Sequence, residues 1–175
     1  MPWTDSKLER YCRFVLGRPV RAFCVQSLPT EAAVHPCYPI LFYTNPEVPR
    51  SIIWHECGHL RRHEQTGRLE SVTKAGKSVV KDSFTTDEVA TLLSETCSNC
   101  QNCQCEDIVQ EERAAHLWAI QEARRRSYSG ILAELLADLQ TWSDFESFRQ
   151  HNLQALFPRY QQAQQLILQD LQIKL

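Results

Sequence analysis

The stretch Ser51-Ile52-Ile53-Trp54-His55-Glu56-Cys57-Gly58-His59-Leu60-Arg61-Arg62-His63 decides how the rest of the chain is read. Ile52, Ile53, Trp54, Cys57 and Leu60 form one apolar side of a helix that Pro49 can open and Gly67 can close. On that helix His55 and His59 stand four residues apart, one turn, so both imidazoles can reach one ion. The run is the His-Glu-x-x-His zinc motif, in which the Glu, here Glu56, is the general base. Zinc held by three protein ligands leaves a fourth position for water and polarises a carbonyl bound beside it. Without a metal, the same letters describe two surface histidines and a solvated glutamate.

The third ligand has to come from another element. His63 continues the four-residue series but stands ~12 Å along the helix axis from His55, too far to share its ion. It reads as a neighbour of the site, a cleft wall or an exposed side chain. From Glu106 to about Ser127 a second helical stripe contains Ile108, Val109, Glu112, Ala115, His116, Ala119 and Ile120. A carboxylate in an apolar stripe is costly to bury unless it is paired or binds a metal, so Glu112 is the preferred ligand. His116 then supports it or a ligand imidazole; in the alternative, His116 ligates and Glu112 orients it.

The segment from Pro39 to His63, and Glu112-Arg-Ala-Ala-His-Leu-Trp-Ala119 after it, resemble the strand, motif helix and later helix of the ImmA/IrrE family of metallopeptidases. The resemblance covers roughly residues 39–63 and 108–120, and the rest only in outline. It implies His55, His59 and Glu112 as zinc ligands, Glu56 as the catalytic residue and a zincin-like fold. It also implies limited proteolysis of a specific protein, often a transcriptional repressor, in a stress response. The chain departs from the family at His116, where Asn is usual, and in a longer, cysteine-bearing gap between His59 and Glu112. No helix-turn-helix module is found.

That gap contains Cys97, Cys100, Cys103 and Cys105, four thiols in a polar loop. Their spacing suits a structural zinc first and an iron-sulfur cluster second, with redox-active or free thiols as the plain alternative. An iron or disulfide form would make the loop a sensor beside the cleft. Cys12, Cys24, Cys37 and Cys57 lie in apolar surroundings and read as core.

Working outward, Ser6 and Glu9 form a capping box before a helix of Leu8, Tyr11, Cys12 and Val15 that ends at Gly17. Val20–Gln26 and Pro39–Thr44 read as strands, and Leu69–Phe84 as a hairpin. Thr85 and Glu88 cap a short helix ending near Thr96. Beyond Gly130 the chain is helical, broken around Trp142–Asp144 and at Pro158. These elements make one α+β domain over residues 1–175, mainly helical, with a small antiparallel sheet beside the motif helix. A Cys-rich insert occupies about 69–106 and a helical C-terminal part about 128–175. The stripe of Leu166, Ile167, Leu168 and Leu171 suits core packing first and a homodimer second.

The 175 residues are 43% hydrophobic and 23% charged, ordinary for a globular domain. A net charge of -2 gives no field to gather nucleic acid or anionic membrane. No segment approaches the ~20 apolar residues of a membrane span, and the start carries no export signal, so a cytoplasmic protein is expected. Two functions compete: a zinc peptidase, with Tyr43, Tyr128, His35 or His63 as oxyanion donor, and a metal- or redox-responsive regulatory module that binds a partner without cutting it.

Overall fold

The computed structural model describes residues 2–35, 38–67, 83–94 and 108–172. Its elements are α1 (Asp5–Leu16), β1 (Arg21–Cys24), β2 (Ala32–Val34), β3 (Ile40–Tyr43), α2 (Arg50–Gln65), α3 (Thr86–Ser94), α4 (Ile108–Arg125), α5 (Ser129–Thr141), α6 (Phe145–Gln150) and α7 (Phe157–Asp170), with a 3-10 turn at Gln154–Leu156 before the last. The architecture is α+β and mainly helical, as the sequence leads one to expect. The predicted hairpin lies outside the described residues except at its end, where Phe84 packs edge-on to Phe23 and Phe42. The cluster of Cys97, Cys100, Cys103 and Cys105 lies wholly outside them.

The sheet corrects the sequence reading. It is mixed, with order β1-β3-β2: β1 pairs parallel to β3 from Arg21↔Ile40 to Cys24↔Tyr43, and β2, within the predicted loop, pairs antiparallel. The physical reason lies in β3, whose four residues are all buried. A continuous apolar run is the mark of a strand covered on both faces, and here it is also flanked on both edges. Leu41 and Tyr43 join the main core with α1 and α2, whereas Ile40 and Phe42 join a second cluster with Phe23, Val25 and Val89 of α3. Period-two alternation thus assigns each face of the sheet its own helical layer.

The first helix also begins otherwise than expected. Thr4, not Ser6, is the N-cap, accepting from the Lys7 amide. Glu9 is drawn away to the sheet, where it accepts from Arg21 Nε at 3.1 Å and the Ala22 amide at 3.2 Å. Gly17 closes α1 at φ 73°, a conformation glycine adopts without a Cβ clash. The box at Thr85 and Glu88 forms as read, each backbone N–H donating to the other's side chain.

α2 and α4 make the centre of the helical layer. Ile53, Trp54, Cys57 and Leu60 of α2 and Ala119, Ile120 and Ala123 of α4 share one core with α1, α5 and α7. Arg126 ties the end of α4 to α1 by donating to the carbonyls of Phe14 and Val15, two acceptors that a helix end leaves open. The Leu-rich C-terminal stripe packs inward: Ile167 is fully buried, with Leu166, Leu168 and Leu171 against the same core. Of the remaining cysteines, Cys12 and Cys57 are buried as expected, while Cys24 is exposed and Cys37 lies outside the described residues.

Candidate metal centre

α2 and α4 cross at Gly58 and Ala115, so closely that a Cβ on Gly58 would overlap the Ala115 carbonyl. This contact places Glu112, one turn before Ala115, opposite His55 and His59. The Nε2 atoms of His55 and His59 lie 3.1 Å apart, Glu112 Oε2 is 3.1 Å from His55 Nε2, and Glu112 Oε1 is 3.6 Å from His59 Nε2. Ligands at ~2.0–2.1 Å around a tetrahedral zinc would be ~3.3–3.4 Å apart, close to the spacing of the two imidazole nitrogens and of each from its nearer Glu112 oxygen, although the two histidines face different oxygens of that carboxylate. The group could hold a metal ion.

Hydrogen bonding fixes the tautomers. His116 Nε2 lies 3.0 Å from the Leu135 carbonyl, which can only accept, so Nε2 carries the proton. Burial, with His55 alongside, depresses its pKa to about 3 and keeps the ring neutral, leaving Nδ1 bare. His55 Nδ1, 3.1 Å from that atom, must then donate to it. With Nδ1 so engaged, His55 turns Nε2 towards the Glu112 carboxylate, 3.1 Å away. Glu112 Oε2 is correspondingly buried with no hydrogen bond to the protein. Such an arrangement calls for a cation between the ligand atoms, and the donor set fits one.

Protons answer the same demand when no metal is bound. Burial works against a charged His59, but the Glu112 carboxylate outweighs it and pushes the imidazole up to about 9. Burial likewise opposes the charge on Glu112, and His59 and His55 overcome it, holding the carboxyl far below its usual range. Glu56, only 8% exposed, is raised chiefly by burial, with the two histidines pulling the other way. A buried carboxylate of raised basicity beside a metal triangle is equipped to accept a proton.

Among the described residues, those singled out by the sequence have definite places. His116 is fully buried and supports His55 rather than joining the triangle. His63 is buried on the same helix, its ring 6.4 Å from that of His59 and its Nε2 4.0 Å from Glu111, and takes no part in the triangle. Three of the expected oxyanion donors have contacts away from the triangle. Tyr43 donates to Asp5 at 2.8 Å, Tyr128 packs against Phe14 and Trp54, and His35 accepts from the Tyr38 amide.

Three residues that sequence reasoning missed complete the surroundings. Trp142, after α5, packs edge-on to His55 with centroids 5.8 Å apart and against His116 at 4.8 Å. Tyr160 of α7 packs edge-on against Trp142 with centroids 4.9 Å apart, and burial pushes its phenol pKa up, with the charges of Glu112 and Glu56 adding to the rise. Asp138 of α5 has a carboxylate oxygen 3.9 Å from His116 Nδ1, and burial raises its pKa. The one signal for them was the break at Trp142–Asp144, which marks where α5 ends but not what it faces.

No protein-family model matches this chain, and neither a curated protein nor a solved structure matches it. Among the described residues, no helix is long and apolar enough to cross a membrane.

Proposed function

We propose that the chain is a zinc-dependent peptidase with a zincin-like site, in which His55, His59 and Glu112 hold the metal and Glu56 is the general base. The observation that carries the reading is the convergence of His55, His59 and Glu112, with ligand atoms of all three within 4.8 Å of one another, and the buried Glu56 on the same helix as the two histidines. Zinc at such a triangle supplies a Lewis acid that polarises a carbonyl and acidifies a water molecule. Glu56, buried on the same helix, would accept the proton of an attacking water molecule and return it to the departing amine, a task its raised basicity favours. His116 holds His55 in the tautomer that leaves Nε2 free to ligate. Trp142 covers the pair of rings and keeps solvent from that side.

The resemblance of residues 39–63 and 108–120 to the ImmA/IrrE family supports a protein substrate cut at a limited number of bonds. By that resemblance the substrate is a regulatory protein such as a transcriptional repressor, cleaved in a stress response. The test compares wild type with Glu56→Gln for metal content and for cleavage of a peptide library. Metal retained with turnover lost by at least ~100-fold is expected, within the usual contribution of a general base. Turnover unchanged in Glu56→Gln, or a wild type that binds no metal, overturns the reading.

A further inference from the structure

We propose that Asp138 is a specificity residue of the same site, its carboxylate receiving a cationic group of the peptide substrate, a protonated amine or a guanidinium, close to the bond that is cut. The inference rests on the peptidase reading above and adds a substrate class to it.

One stripe of α5 faces the histidines. Leu135, Asp138 and Trp142, the last at the C-cap, follow at intervals of three and four residues and so share one side of the helix. Leu135 is fully buried and its carbonyl lies 3.0 Å from His116 Nε2, while Trp142 packs on the rings of His55 and His116. Asp138 stands between these two, with Oδ2 3.9 Å from His116 Nδ1, and that nitrogen is 3.1 Å from His55 Nδ1. Its carboxylate is therefore one side chain removed from a proposed ligand, yet it is outside the group that could hold an ion.

Nothing in the stripe uses the charge. The 3.9 Å contact with His116 is too long for a hydrogen bond, and a His116 Nδ1 that accepts from His55 has no proton to give. Among the described residues, no hydrogen bond to the Asp138 carboxylate is formed, and Arg50 of α2, the cation facing α5, pairs with Glu134 one turn earlier. A carboxylate held half-buried without a partner is costly, and with 29% of its side chain exposed this one is open to a partner arriving from solvent. An extended peptide advances ~3.3 Å per residue, so a carbonyl at the metal centre brings a basic side chain or α-amine one or two residues away towards Asp138. A charge-assisted N–H···O bond then forms, and a neutral or acidic side chain in that place forgoes it.

The experiment uses the zinc-loaded full chain carrying Glu56→Gln and reads the affinity of labelled peptides by fluorescence anisotropy, with cleavage of the same peptides by wild type followed in parallel. The peptides come in two matched sets, lysine against acetyl-lysine with the amino terminus blocked, and free against acetylated α-amine without lysine. The cationic member of one set should bind ~10-fold tighter or more, the usual worth of a hydrogen bond to a charged group. A preference in the first set identifies an internal basic residue, and in the second the amino terminus. Adding Asp138→Asn should abolish the preference and leave zinc content, melting and affinity for the neutral member unchanged, while Asp138→Glu, which keeps the charge, should retain part of it. Equal affinity for both members of each set, with cleavage intact in wild type, would overturn the inference and leave the peptidase reading standing. A preference that survives Asp138→Asn, or a loss of zinc and of all peptides alike in that variant, would assign Asp138 to support of His116 or to no role and also overturn it. A wild type that neither binds zinc nor cuts any peptide would remove the peptidase reading, and this inference with it.

Discussion

Gly58 lies directly against the Ala115 carbonyl, and this single contact sets the distance between the two helices that carry every proposed ligand. The residue sits between His55 and His59 on one side of the crossing, while Glu112 and His116 flank Ala115 on the other. Adding one methyl group at position 58 would force the α4 backbone away, because neither partner is a flexible side-chain end that could yield. Gly58→Ala should therefore cost ~1–3 kcal/mol or more in overpacking, against the small gain in helix propensity that alanine normally brings. The paired measurement is denaturant unfolding with metal titration. Lost stability together with lost metal is expected; an unchanged affinity would show that the ligands do not depend on this approach.

His116 is buried neutral, and its chain from the Leu135 carbonyl to His55 Nδ1 exists only in that state. Its pKa in the folded chain, about 3, is below the ordinary 6.5, so the fold disfavours protonation. The associated stability is full above pH ~6.5 and is lost as pH falls below it, at up to ~1.4 kcal/mol per pH unit. His35, depressed to about 4 by burial, adds to the same acid sensitivity. In His116→Leu the metal-free chain should lose less stability per pH unit between pH 6.5 and 4, as followed by denaturation midpoints in chelator. Zinc affinity should fall ~10–100-fold, because His55 loses the acceptor that orients it. An identical pH slope in both proteins would contradict the buried neutral state.

The motif helix, with His55, Glu56 and His59, was legible because its chemistry repeats every turn of one helix, and Glu112 because a carboxylate in an apolar stripe is conspicuous. Other features depended on partners far away in sequence. Ala32–Val34 is too short to alternate visibly, and the direction of β1 is set by what β3 buries on both faces rather than by β1 itself. Asp138, Trp142 and Tyr160 have ordinary local patterns, and only the packing of α5 and α7 onto α4 gives them a role. Ser6 looked like a cap because the competing bonds of Glu9 to β1 are invisible until the strand is placed.

Metal binding should release a proton from His59. That imidazole, raised to about 9 beside Glu112, is charged at neutral pH in the metal-free chain and must become neutral to ligate. About one proton per ion should therefore appear between pH 7 and 8, with apparent affinity rising roughly tenfold per pH unit until pH ~9. Calorimetry in buffers of different ionisation enthalpy reads the proton count. The sign for stability is the reverse: in the metal-free chain the raised pKa of His59 contributes stability that is full below pH ~6.5 and disappears as pH rises through about 9. Zinc uptake with no proton release at pH 7 would mean that the triangle is already deprotonated.

Two contacts anchor α7, and their magnitudes should differ in a way that identifies which one matters to the site. Arg113 and Asp170 form a bidentate pair with bonds of 2.8 and 3.0 Å, but both side chains remain about a third exposed. Surface pairs of this kind contribute ~0.2–1 kcal/mol, so Arg113→Ala should scarcely change stability or metal affinity. Gln164 is 3% exposed and donates to the Leu139 carbonyl at 2.7 Å, satisfying an acceptor in the last turn of α5 just before Trp142. Gln164→Leu keeps the volume and leaves that carbonyl only the longer, 3.3 Å bond from the Trp142 amide, at ~0.5–1.5 kcal/mol. The turn bearing Trp142 would lose its tie to α7, and with it the wall behind His55 and Tyr160. Unfolding midpoints and zinc affinities of the two variants should thus separate, with Gln164→Leu lower in both; a larger effect from Arg113→Ala would place the anchor of α7 at the surface instead.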